Sequence, residues 1–147
     1  MINIKNYSRL VLYIILLFSI NIAHAEQNFF SEAKKKFDEK KLEESKFLFQ
    51  RNIVFNPKDA ESYIYLAKIF NEQDNAQEKE KNLNTALLLD PTNEDAMYML
   101  INTELDKSNY SEVKELKENF EKICKELCKK IKSIEDSLKD IEPKNES

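Results

Sequence analysis

Hydrophobic and polar positions along this chain recur at an interval of 34 residues. The stretch 49–67, FQRNIVFNPKDAESYIYLA, falls onto the stretch 83–101, LNTALLLDPTNEDAMYMLI. The shift pairs Phe49 with Leu83, Ile53 with Leu87, Phe55 with Leu89 and Pro57 with Pro91. Beyond the prolines it pairs Tyr63 with Met97, Ile64 with Tyr98 and Leu66 with Leu100. Tyr63, Ile64, Leu66, Ala67 and Phe70 stand at helical rather than alternating spacing. Each proline lacks an N–H and drives the residue before it, Asn56 or Asp90, away from helical geometry. A helix therefore stops there, and Asp59 or Asn93 can cap the next one. A period near 34 with one proline per unit predicts helix–turn–helix units stacked as a solenoid. Helices this short do not persist alone. Stacking buries one stripe of each, at roughly 25 cal/mol per Å² of apolar surface covered.

The pattern changes after residue 111. Leu116, Phe120, Ile123, Leu127, Ile131, Ile134, Leu138 and Ile141 step by three or four with no proline between them. This predicts one closing helix over residues 111–141, with a continuous apolar stripe. Part of it would cover the last unit, and its far end could pair with a second copy of the chain. The tail 142–147, which begins just before Pro143, is polar. Cys124 and Cys128, the only cysteines, lie four apart in this stretch. In an intact helix their Cβ atoms would be about 5–6 Å apart, whereas a disulfide wants about 3.5–4.5 Å. Three fates stay open: a local disulfide with distortion of the helix, bonds to the same pair in a second chain, or free thiols.

The first 25 residues read as an export signal. Lys5 and Arg9 form a positive head, residues 10–20 (LVLYIILLFSI) an apolar run, and Ala23-His24-Ala25 a small-x-small cleavage pattern. The alternative is an uncleaved anchor, but a spanning helix needs about 20 apolar residues. Asn21 and His24 interrupt the run before that. The expectation is an exported protein of the bacterial envelope, periplasmic in the first instance, with secretion or N-terminal anchoring as alternatives. No membrane insertion of the mature chain is expected.

The repeats resemble tetratricopeptide repeats. The unit 60–93 places Tyr63, Leu66, Ala67, Phe70, Leu83, Ala86 and Pro91 at the family's small and apolar positions, and departs from them at Lys79. The unit 26–59 supplies Phe29, Ala33, Ser45, Phe49 and Pro57. The unit 94–125 supplies Met97, Leu100, Tyr110 and Val113, but lacks the proline, and Glu104, Lys117 and Phe120 break the pattern. The resemblance implies an all-α solenoid of about three antiparallel helix–turn–helix repeats, closed by the long C-terminal helix. It also implies an inner face that binds a protein or peptide. Carried over position by position, that face holds Phe30, Lys34 and Phe37, then Ile64, Lys68 and Asn71, then Tyr98 and Asn102. Some relatives grip a terminal carboxylate with a lysine where this chain has Phe30, Ile64 and Tyr98, so that clamp is not implied here.

Composition narrows the function further. The chain of 147 residues carries a formal charge of −4 and contains no glycine, which favours helices over hairpins and rules out a glycine-rich phosphate loop. None of its 27 acids lies in the first 25 residues, so the remainder is the more acidic part. Arg51 is the one arginine beyond them and no basic stripe exists, so nucleic acid is not an expected partner. The single histidine, His24, falls inside the signal. That removes the usual general base from the mature chain, and two cysteines make half of a zinc site. No enzyme activity, cofactor or metal is expected. The reading is a protein- or peptide-binding scaffold, with a structural subunit oligomerising through the C-terminal helix as the alternative.

Overall fold

The computed structural model describes residues 29–139. The expected signal, residues 1–25, and the tail, residues 142–147, lie outside them. Seven helices and no strand occur among the described residues. They are α1 (residues 29–38), α2 (Leu42–Phe55), α3 (Ala60–Glu72), α4 (Ala76–Leu89), α5 (Glu94–Asp106), α6 (Tyr110–Ile123) and α7 (Lys130–Lys139). None is long and apolar enough to cross a membrane.

The 34-residue interval governs the backbone as well as the sequence. Helices α2, α4 and α6 start at 42, 76 and 110 and end at 55, 89 and 123. The turns before them place Lys40, Asp74 and Ser108 in the left-handed region, at φ 60°, 52° and 59°. Each is followed by an amide that reaches back to a helix carbonyl: Lys41 to Lys36, Asn75 to Phe70 and Asn109 to Glu104, all at 2.9 Å. Glycine usually ends a helix this way because it has no Cβ to clash. A chain without glycine uses three other residues and repeats the same turn.

Two compact units divide at Pro57 and Lys58. In the first, α2 lies against α1. The small Ser45 side chain is buried and donates to the Ala33 carbonyl at 2.9 Å. Phe49 is buried edge-on to Phe30, with ring centroids 5.6 Å apart, and Phe29 stacks on Phe55 at 5.7 Å. In the second, α3 to α7 pack each on the next around Ala67, Leu83, Leu100, Ile101, Phe120 and Ile134. The four residues that broke the repeat pattern in this unit have partners or places there: Lys117 pairs with Glu121 at 2.6 Å and Glu135 at 3.5 Å. Lys79 is buried and donates to the Asn71 side chain at 3.2 Å. Glu104 is buried and accepts from Lys107 and Asn109, both at 2.8 Å. Phe120 is fully buried.

The C-terminal expectation needs correction. Residues 111–141 do not form one helix: α6 ends at Ile123, residues 124–129 turn, and α7 begins at Lys130. The break falls one period after the end of α4, and Lys125 occupies the place held by Pro57 and Pro91. A disulfide between Cys124 and Cys128, with Cα atoms 5.2 Å apart, closes this turn. An intact helix holds the two Cβ atoms too far apart for that bond. Of the three fates left open, the cysteines take the local one. The apolar stripe of α7 folds onto its own chain, where Ile134 and Leu138 are buried in the common core.

Candidate functional site

Three helices of the second unit contribute to one polar and aromatic face. On α5, Asp95, Tyr98 and Asn102 follow at spacings that put them on one side of a helix. Lys68 on α3 pairs with Asp95 at 3.5 Å, and its ammonium lies 5.1 Å from the Tyr65 ring centroid. Tyr98 is half-buried, its ring tilted against Phe120 at 6.1 Å. The Lys130 ammonium of α7 stands 5.2 Å from the same Tyr98 ring. An aromatic ring thus sits between a lysine of the last helix and an acid–lysine pair of the first two. Such a surface can cover an apolar side chain with the ring and hydrogen-bond an extended backbone with Lys68 and Asn102.

The residues expected on the inner face meet different fates. Lys68, Tyr98 and Asn102 are all partly exposed. Asn71 is exposed, and its side-chain oxygen accepts from Lys79. Ile64 is 1 % exposed and belongs to the core with Ala67 and Leu83, so it offers no surface to a partner. In the first unit, Phe30 and Lys34 line a shallow depression on α1 together with Asp38. Phe30 also leans on Phe49, and the Lys40 ammonium lies 5.8 Å from the Phe37 ring.

Two residues of the second unit were not foreseen. The sequence pattern puts Lys130 in the middle of a long helix, where nothing points it at Tyr98. Glu94, the first residue of α5, accepts from the backbone N–H of Leu127 at 2.8 Å and of Glu126 at 3.1 Å. It thereby ties the disulfide turn to the start of α5. These amides, Leu127 foremost and then Lys125, hold the Glu94 carboxyl below the usual carboxylate range. The period gave no hint of it, because Ala60 stands one repeat before Glu94; the neighbouring Glu61 accepts from Asn93 at 3.5 Å. Burial pushes the Glu104 carboxyl up, but the hydrogen bonds from Lys107 and Asn109 outweigh it and hold it low. Lys107 also pairs with Glu80, so this cluster ties α4, α5 and the turn before α6. Its members are satisfied by one another, which suits a structural role. Among the described residues no group of three or more His, Cys, Asp or Glu is arranged to hold a metal ion.

The chain matches no protein-family model and no curated protein. Solved structures do match. The Yersinia enterocolitica type III secretion chaperone SycD, in complex with a peptide of the translocator YopD, aligns with a TM-score of 0.70 at 13% identity, over 77% of this chain and 91% of that one. The first TPR of Spaghetti (RPAP3), bound to an HSP90 peptide, gives 0.66 at 14% identity over 78% and 93%. The Sgt2 TPR domain of Aspergillus fumigatus gives 0.66 at 16% over 80% of each chain. The fold is therefore a tetratricopeptide-like, all-α helical repeat solenoid.

Proposed function

We propose that this protein is a peptide-binding scaffold that works in the bacterial cell envelope. One observation carries the binding reading: Lys68, Asp95, Tyr98 and Asn102 gather on adjoining helices as a partly exposed surface that the core does not consume. Tyr98 supplies the anchor and the polar groups satisfy the peptide backbone. Two structures of the same fold, SycD and the Spaghetti TPR, hold peptides, which supports this use of the surface. Phe30, Lys34 and Phe37 on α1 are candidate contacts in their own right. The export pattern of residues 1–25 supports the compartment, as does a disulfide, which persists in oxidising surroundings.

One preparation tests both parts. The chain, expressed behind its own first 25 residues, is recovered from the periplasmic fraction and panned against a displayed peptide library. Selected peptides are expected to lose about tenfold or more in affinity to the double variant K68A/N102A, two surface positions whose loss leaves the core intact. Binders indifferent to K68A/N102A would overturn the assignment of the face. Protein found only in the cytoplasm would overturn the compartment.

A further inference from the structure

Within its own residues the turn between α6 and α7 has no helix breaker other than its disulfide; the Glu94 carboxylate, from outside, holds the Glu126 and Leu127 amides. Residues 124–130 read CKELCKK, and Lys, Glu and Leu are all strong helix formers. The apolar stripe passes through them unbroken, from Phe120 and Ile123 to Leu127 and Ile131. The other two turns at this place in the period are held by prolines that nothing in solution can remove. This one is held by a bond that a thiol can open. Cys128 is exposed and Cys124 half-buried, so the bond can be reached from the Cys128 side. Beyond it, the ten described residues of α7 are too few to hold a helix without the packing of Ile134 and Leu138.

We propose that Cys124–Cys128 is a reversible redox site whose state decides whether α6 stops at Ile123. A dithiol reductant attacks the Cys128 sulfur as a thiolate. The S–S bond breaks, a mixed disulfide forms at Cys128, and Cys124 leaves as a thiolate that takes up a proton. The reductant's second thiol then displaces Cys128. The protein gains two electrons and two protons in all, and the reductant is left as its own disulfide. With the bond open, the cysteines can take the i, i+4 spacing of a helix that the disulfide forbids. The α6 helix runs on through residues 124–129, and α7 swings off the core as its continuation. Ile134 and Leu138 leave the core, and Lys130 leaves Tyr98.

The test uses the full chain. Native protein is treated with dithiothreitol, alkylated and weighed, and hydrogen exchange is followed by mass spectrometry, with helicity from circular dichroism. Two alkyl groups are expected, together with a loss of about tenfold or more in amide protection over residues 131–139 and a gain in helical signal. Reoxidation should restore both. The variant C124S/C128S should behave as the reduced protein does. The decisive variant adds the missing proline, K125P, to C124S/C128S. Cys124 already has the extended geometry (φ −61°, ψ 142°) that a residue before proline adopts. The proline should return protection to residues 131–139 without any sulfur, although it removes one of the amides facing Glu94. A bond that resists millimolar dithiothreitol in the native protein would overturn the proposal. So would reduced and oxidised forms that exchange residues 131–139 at the same rate, or a proline that restores nothing.

Discussion

Two turns one period apart lead the chain from one helix pair to the next in the second unit, and they are built differently. The turn after α4 is assembled mainly from its own residues, with one distant contact, from the Asn93 side chain to Glu61 at 3.5 Å. Pro91 ends the helix, the Asp90 carboxylate accepts from the Thr92 amide at 3.1 Å and its hydroxyl at 2.8 Å, and Asn93 caps α5 through the Ala96 amide at 3.0 Å. The turn after α6 holds neither proline nor Asx turn. Its geometry comes from a covalent bond between Cys124 and Cys128 and from Glu94, which lies some thirty residues earlier. Both helices nevertheless stop in the same register: the Asp90 amide bonds to Ala86 at 2.8 Å and the Cys124 amide to Phe120 at 2.9 Å. The stopping point is thus a property of the repeat, and the chemistry that enforces it can change from one copy to the next.

Ala86 and Phe120 are equivalent positions, 34 residues apart. Both are fully buried at the same place before their turns, yet one is a methyl group and the other a ring. In the third repeat Phe120 fills space among Leu116, Tyr98 and the apolar side of α7. Phe120→Ala, which makes the two repeats alike at this position, should cost about 3–5 kcal/mol. That is a large part of the stability of a small domain. Urea unfolding measures it, and a loss below about 1 kcal/mol would show that the ring is dispensable.

A smaller effect sharpens the contrast from the other side. Asn93→Ala removes the α5 cap and should cost about 1 kcal/mol by the same denaturation measurement. Because that turn is local, protection of the Glu126 and Leu127 amides should be unchanged. A loss of protection there would mean that the two turns are coupled through α5 and not built separately.

The same division explains what could be read in the sequence. Pro57, Pro91 and the cap at Asn93 act within a few residues, so the ends of α2 and α4 and the start of α5 were legible from spacing alone, while Asp59, the other cap candidate, accepts from the Ser62 hydroxyl. The break at Cys124 was not, because no residue from Lys125 to Lys130 breaks a helix and the bond that forbids it joins side chains whose pairing no local rule fixes. The candidate positions divided likewise. Lys68, Tyr98 and Asn102, carried over through the register of the repeat, stand partly exposed. Ile64 was misplaced because its position in that register carries a polar or aromatic side chain in the third repeat but an aliphatic one here, which the core takes up. Lys130 could be seen over Tyr98 only once α7 was known to turn back.

The mildest perturbation acts on Glu94 and should show only in its own turn. Its carboxyl is held below the usual range by the amides of Leu127, Lys125 and Glu126. A group whose folded pKa is depressed contributes stability above its unfolded value, and that contribution is lost as pH falls through the folded one. The Leu127 amide resonance should therefore hold through the ordinary glutamate range, about pH 4, and shift only below it as the Glu94 carboxyl takes up its proton. Asp90 is held low too, chiefly by the Thr92 hydroxyl, so the Thr92 amide should also titrate in acid. Glu94→Gln separates the two: the acid step should vanish at Leu127 and persist at Thr92. Were the step at Leu127 to survive in the glutamine variant, the disulfide turn would take its acid response from some other group, and its tether to α5 would be of no consequence.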